Sequence, residues 1–137
     1  MSKMIFVNLP VRDLPRSKTF FEALGYTFNP QFTDDTAACM VIDDQHIFAM
    51  LLTHPKFEQF LPKGTPIADG KTSTEVMVCL SCDSRAEVDG LVRKAVAAGG
   101  TTFRDPQDHG FMYGHAFRDL DGHVWELVWM DPGAAQQ

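Results

Sequence analysis

Asp119-Leu120-Asp121-Gly122-His123-Val124-Trp125-Glu126-Leu127 is the stretch from which the rest of the chain can be read. Asp and Gly cluster into a turn, and the apolar, β-branched and aromatic residues that follow read as a strand. Asp44-Gln45-His46-Ile47-Phe48 repeats that order earlier in the chain: turn residues, a histidine, then an apolar run. Two further correspondences run in the same direction. Asp13 falls on Asp83, and Asn29-Pro30-Gln31 falls on Asp105-Pro106-Gln107. The shared order predicts two copies of one βαβββ unit within the chain.

Each copy can be followed from its first strand. In the first, a strand over Met4–Val11 leads to Asp13 as helix cap and Pro15 in the first turn. Leu14, Ser17, Phe20, Phe21 and Leu24 give that helix an apolar face, and Gly25 stops it. Extended segments follow at 26–28, 37–42 and 46–53. In the second copy, a strand over Glu75–Cys82 precedes Ser84-Arg85-Ala86-Glu87, a capping box. Val88, Leu91, Val92, Ala95 and Val96 recur at helical spacing up to Gly99-Gly100. Extended segments are expected at 101–104, 111–118 and 123–130. Between the copies lies a stretch rich in Pro and Gly, with one short helical turn expected around Phe57, Phe60 and Leu61. The organisation is one domain, 1–137: a first module over about 1–53, a connector over about 54–74, a second module over about 75–131, and a tail over 132–137.

The composition restricts the partners. The 137 residues suffice for a core without covalent staples. A net charge of −6, with Lys and Arg scattered, argues against nucleic acid and anionic membrane as partners. No apolar stretch is long enough to span a bilayer, and Met-Ser-Lys-Met-Ile-Phe-Val is not a signal peptide. Three cysteines, Cys39, Cys79 and Cys82, fit a reduced, cytoplasmic protein. Cys79 and Cys82 have C-x-x-C spacing but lie in a strand, where residues three apart face opposite ways. The 11 Phe against 2 Tyr and 2 Trp point to a Phe-rich core or an apolar cavity.

Val11-Arg12-Asp13-Leu14-Pro15-Arg16-Ser17, with Phe20-Phe21 and Leu24-Gly25 behind it, resembles the opening of the vicinal oxygen chelate superfamily. That superfamily holds glyoxalase I, bleomycin-resistance proteins and extradiol dioxygenases. The Asp119–Leu127 stretch resembles its closing motif, with Leu120 where Pro is usual. The resemblance implies an α+β fold in which two βαβββ modules form curved mixed sheets around a pocket, with helices outside. It also implies a small-molecule ligand and a homodimer. Metal-using relatives carry His, Gln or Glu at four positions, which map here onto Phe6, Met77, Ala49 or Leu51, and Glu126. Of these only Glu126 suits a hard or borderline metal. The reading is therefore that no cofactor is used. A divalent metal remains an alternative only through Glu126 and His115 joined by Glu75 or His109.

Strand alternation selects the candidate site. Phe6 and Asn8 on the first strand, and Met77 and Cys79 on the fifth, are expected to face the pocket. A four-residue loop over Asp119–Gly122 would pair Arg118 with His123, and therefore His115 with Glu126 and Tyr113 with Val128. On that register Glu126 and His115 form an acid–base pair, and Tyr113 and Phe117 join Phe6, Asn8, Met77 and Cys79 in binding substrate. Cys79 and His115 are expected on different half-sheets. The expected function is a metal-independent lyase or isomerase-like reaction run by Glu126 and His115. The alternatives are non-catalytic sequestration of a drug-like molecule and a metal-dependent lyase or dioxygenase with a non-standard site.

Overall fold

The computed structural model describes residues 2–133 and contains two compact units, Met1–Ala68 and Asp69–Gln137. The first holds β1 (Ile5–Val11), α1 (Leu14–Ala23), β2 (Thr27–Asn29), β3 (Ala37–Asp43), β4 (Ile47–Thr53) and α2 (His54–Glu58). The second holds β5 (Met77–Ser81), α3 (Arg85–Ala97), β6 (Gln107–Asp108), β7 (Met112–Arg118) and β8 (Val124–Met130). Both sheets have four strands. Their orders, β1-β4-β3-β2 and β5-β8-β7-β6, are the same topology, with the first strand parallel to the last. The two-copy reading of the sequence describes this architecture, an α+β fold of two mixed sheets.

In the first unit the Asp13 side chain caps α1 by accepting from the Arg16 amide at 3.1 Å, and Pro15 occupies the first turn, where its missing N–H costs nothing. Gly25 ends the helix with φ of 103°, a conformation that side-chain-bearing residues avoid. Leu14, Phe20 and Phe21 of the helix are buried, and so are Ala38, Met40, Ala49 and Leu51 of the sheet. The two Phe rings contact edge to face at 4.9 Å. Burial of each ring stabilises the unit by about 2 kcal/mol. In the second unit the expected capping box forms one residue displaced. Ser84 accepts from the Glu87 amide at 3.0 Å, and the Glu87 carboxylate accepts from Asp83 rather than Ser84, at 3.2 Å. Val88, Val92 and Ala95 are the buried face of α3.

Three expectations are corrected by the backbone. The segment 101–104 is not a strand. It touches β7 through a single bridge, Thr101 to Arg118, and the short β6 begins beyond Pro106, which has no N–H to give a ladder. The helical turn expected around Phe57–Leu61 lies earlier, over His54–Glu58, because Thr53 caps it by accepting from Lys56 and Pro55 presets the first turn. The third correction concerns the β7–β8 hairpin, whose register is Arg118 to Val124, Phe117 to Trp125, Ala116 to Glu126 and His115 to Leu127. The loop is thus one residue longer than expected, and His115 and Glu126 are not cross-strand partners.

The reason is Asp119. Its backbone N–H donates to His123 O at 3.0 Å, so the chain closes on His123 and leaves it outside the ladder. Its side chain is buried. Oδ1 accepts from the amides of Asp121 and His123 at 2.9 and 3.0 Å, and Oδ2 accepts from the Trp125 indole at 3.0 Å. Burial pushes this carboxyl above its ordinary range, against the pull of His123 and of the Trp125 and Asp121 hydrogen bonds. Gly122 completes the loop with φ of 88° beneath the Gly70 backbone, where an added Cβ would lie 2.6 Å from two of its atoms. Asp119→Ala leaves three donors without their acceptor, two of them at buried positions, and is expected to cost about 3 kcal/mol. Urea denaturation followed by Trp fluorescence checks this, and an unchanged midpoint would contradict the role given to the turn.

Candidate active site

The hairpin register sorts the second sheet into two faces. Tyr113, His115 and Phe117 share one with Trp125, Leu127 and Trp129. That face packs on α3. Tyr113 donates its hydroxyl to Asp89 of α3 at 2.6 Å, a bond that raises the phenol above its ordinary range. Arg85, at the start of α3, lies 5.1 Å from the ring centroids of both Tyr113 and Trp129, and it binds Asp108 at 2.7 Å. Phe117 is buried in the core. Tyr113, His115 and Phe117 therefore do not join the other face, as the four-residue loop would have required.

The other face carries rows set by strand pairing. Met77, Val124 and Arg118 make one row across β5, β8 and β7; Cys79, Glu126 and Ala116 make the next. Met77 and Cys79 are exposed there, as alternation on the fifth strand predicts. Glu126 is partly buried, and its carboxylate accepts from the Arg104 guanidinium at 2.6 Å. Arg104 reaches over from the segment between α3 and β6. Its backbone O accepts from His115 Nε2 at 3.0 Å, which places the ring proton on Nε2 in neutral histidine. Glu126 and His115 thus meet the same residue, Arg104, from opposite ends: one at the charge, the other at the backbone.

Cys79 stands beside Glu126 in the parallel pairing. Burial first, then the Glu126 charge, pushes its thiol up, while Arg104 opposes. Cys79 and His115 belong to one sheet rather than to separate half-sheets, two strands apart and on opposite faces. Cys82 is pushed up to about 11, chiefly by burial. The three thiols are free.

Within this unit the donor set does not suit a divalent ion. Glu126 is held by a cation, Met77 offers only a thioether, and His115 is on the far face. Glu75 precedes β5 and is exposed, and His109 lies in the turn before β7, its amide donating to Met112. Among the described residues no three His, Cys, Asp or Glu side chains gather as ligands.

In the first unit the face turned away from α1 is apolar. Phe6 stacks on Phe48 at 4.9 Å with the rings 13° apart, and Asn8 and Cys39 flank Met50. Phe6 stands opposite Phe48 as Met77 stands opposite Val124, so Met50 occupies the place that Glu126 has in the second unit. Ala49 and Leu51, the two residues expected there, are buried on the α1 side instead. The reason is the irregularity between Val41 and Asp43, which offsets this hairpin by one residue from its counterpart. A surface groove of about 580 Å³ lies behind this unit, between α1 and β2, lined by Lys18, Glu22, Tyr26 and Phe28. None of the predicted site residues lines it.

Arg104, Arg118 and Phe103 were absent from the sequence-based site. Arg104 carries no periodic signal, since it sits in an irregular segment. Arg118 was legible through alternation, but only once the loop length was right.

The comparisons with known proteins bear on the fold. Residues 3–43 match the family described as "Bleomycin resistance protein-like N-terminal". No curated protein matches the chain. Among solved structures, a hypothetical protein from S. aureus is 30% identical, with 94% of this chain and 95% of that one covered and a TM-score of 0.76. A glyoxalase/bleomycin resistance protein/dioxygenase family enzyme from Burkholderia phytofirmans PsJN is 18% identical over 94% and 99% of the two chains, with a TM-score of 0.74. A fosfomycin resistance protein from Mesorhizobium loti is 17% identical over 100% and 97%, with a TM-score of 0.65. The chain belongs to one family with the S. aureus protein, and it has the fold of the glyoxalase/bleomycin resistance/dioxygenase proteins.

Proposed function

We propose that this chain is a metal-independent enzyme of small-molecule substrates, of the lyase or isomerase kind, acting at the Glu126 face of the second sheet. The observation that carries this reading is the Arg104–Glu126 pair at 2.6 Å. Where a chelating relative would set a cation against this carboxylate, the chain supplies its own. The guanidinium fixes the rotamer of Glu126, and the carboxylate retains lone pairs with which to accept a proton. Glu126 takes a proton from a substrate C–H or O–H bond and returns it to another substrate atom. No electron leaves the substrate, so no redox partner is needed. His115 is the positioning residue in place of a direct partner, since it holds Arg104 by the backbone. The chain works in this reading as a cytoplasmic homodimer, a view supported by its free thiols and by exposed Ile5, Phe6 and Met77.

The second reading is sequestration of a small molecule without turnover. The stacked Phe6–Phe48 face and the match of residues 3–43 favour it. Calorimetry separates the two: saturable heat with bleomycin-type compounds, and no turnover, would support sequestration.

The enzymatic reading is tested by following small hydroxy-carbonyl compounds in D₂O by proton NMR for exchange or conversion. Glu126→Gln is expected to lower the rate at least about 100-fold, and prior dialysis against a chelator to leave it unchanged. Conversion that survives Glu126→Gln, or that the chelator abolishes, would sink the proposal. The charge order around Cys79 gives an independent check. Its alkylation by iodoacetamide at about pH 8 is expected to quicken several-fold in Glu126→Gln and to slow in Arg104→Gln, because thiolate rather than thiol reacts. Peptide-level mass spectrometry reads each cysteine separately, and identical rates in all three proteins would contradict the arrangement.

A further inference from the structure

Arg118 is the one residue of the Glu126 face whose charge the reading above leaves unused. It lies on β7 in the row of Met77 and Val124, diagonal to Glu126 through Ala116. Its guanidinium carbon is 5.4 Å from the Phe103 ring centroid, and that of Arg104 is 5.3 Å from the same centroid. Two guanidinium groups therefore converge on one aromatic ring. Arg104 is neutralised by Glu126. No carboxylate forms an ion pair with Arg118 among the described residues. The nearest in sequence, Asp119, is turned into its loop by three hydrogen bonds. The Nε atoms of both arginines are buried and lack a hydrogen-bond partner.

This cluster holds two positive charges against one negative. A half-buried, unpaired guanidinium is unfavourable, and a fork of N–H donors matches a planar oxyanion in two parallel bonds. The surplus of one charge selects a monoanion, since a second negative charge on the ligand would meet Glu126. The rim selects the rest of the molecule. Met77 is 55% exposed and Phe103 44% exposed, so apolar surface is open beside the charge. We propose that Arg118, with Arg104 beside it, anchors the carboxylate of a small apolar monocarboxylic acid, whose body lies on Met77 and Phe103. This rests on the reading that the Glu126 face handles small molecules, and it names their class.

The test uses the full chain, labelled with ¹⁵N, with benzoate and inorganic phosphate as probes in separate titrations. Benzoate is expected to shift the amides of Met77, Phe103, Arg104 and Arg118 in a saturable way, and to bind more tightly than phosphate. Arg118→Gln is expected to weaken benzoate at least about tenfold. Arg118→Lys keeps the charge but loses the fork, and is expected to weaken it several-fold. Glu126→Gln is expected to bind benzoate at least as tightly as the parent chain. Equal affinity in a folded Arg118→Gln, tighter binding of phosphate, or shifts confined to another surface would overturn the proposal. If Arg118→Gln does not fold, undiminished affinity in Arg118→Lys overturns it. The two readings fail separately. Absent benzoate binding, with turnover still lost in Glu126→Gln, removes the carboxylate anchor and leaves proton transfer. Benzoate binding with turnover intact in Glu126→Gln does the reverse.

Discussion

The Asp119 carboxylate organises the second unit from a turn. It is buried, and three donors converge on it: two loop amides and the Trp125 indole. With those bonds made, the loop closes on His123, and every residue of β7 and β8 acquires its partner and its face. A slip of one residue would exchange the faces, moving Glu126 onto α3 and Trp125 into the open. The Trp125 bond joins both ends of this logic, since the same indole that satisfies the carboxylate lies in the core. Gly122 and Gly70 allow the backbone contact that packs the loop from outside. The chemistry of the Glu126 face thus depends on a side chain that never reaches it.

Two units of the same topology have acquired opposite surfaces. In the first, the face away from the helix carries Phe6, Phe48 and Met50. In the second, the corresponding face carries Met77, Val124 and Glu126, with Arg104 and Arg118 beside them. The helix-facing sides differ far less, because each must bury an apolar stripe of α1 or α3. Helix packing restrains one side of each sheet to similar residues. The other side is under no such restraint, and there the copies diverge.

Much of the fold was legible in the sequence because its signals are local. Asp13, Pro15 and Gly25 bound α1 by capping chemistry, and Ser84 with Glu87 opens α3. The repeated turn-histidine-strand order gave the two-unit plan. On the fifth strand, alternation alone placed Met77 and Cys79 on the open face. The site was read less well, for a definite reason. Its composition hinges on loop length, and loop length here is decided by hydrogen bonds to one side chain that no periodicity encodes. One extra loop residue removed His115, Tyr113 and Phe117 from the face assigned to them. One irregularity near Val41 moved the first unit's counterpart of Glu126 from Ala49 or Leu51 to Met50. Arg104 lies in a segment with no repeating pattern, and its part emerges only from where His115 and Glu126 hold it.

That segment has a consequence of its own. Residues 101–108 are fastened to the sheet by the Thr101–Arg118 bridge, the two residues of β6 and the bonds that His115 and Glu126 make to Arg104. Such an edge opens at a lower free energy than the strands inside it. Each local opening would free the carboxylate of its cation without disturbing the core. The balance between the docked and the lifted segment therefore sets the share of time for which Glu126 stands without its cation.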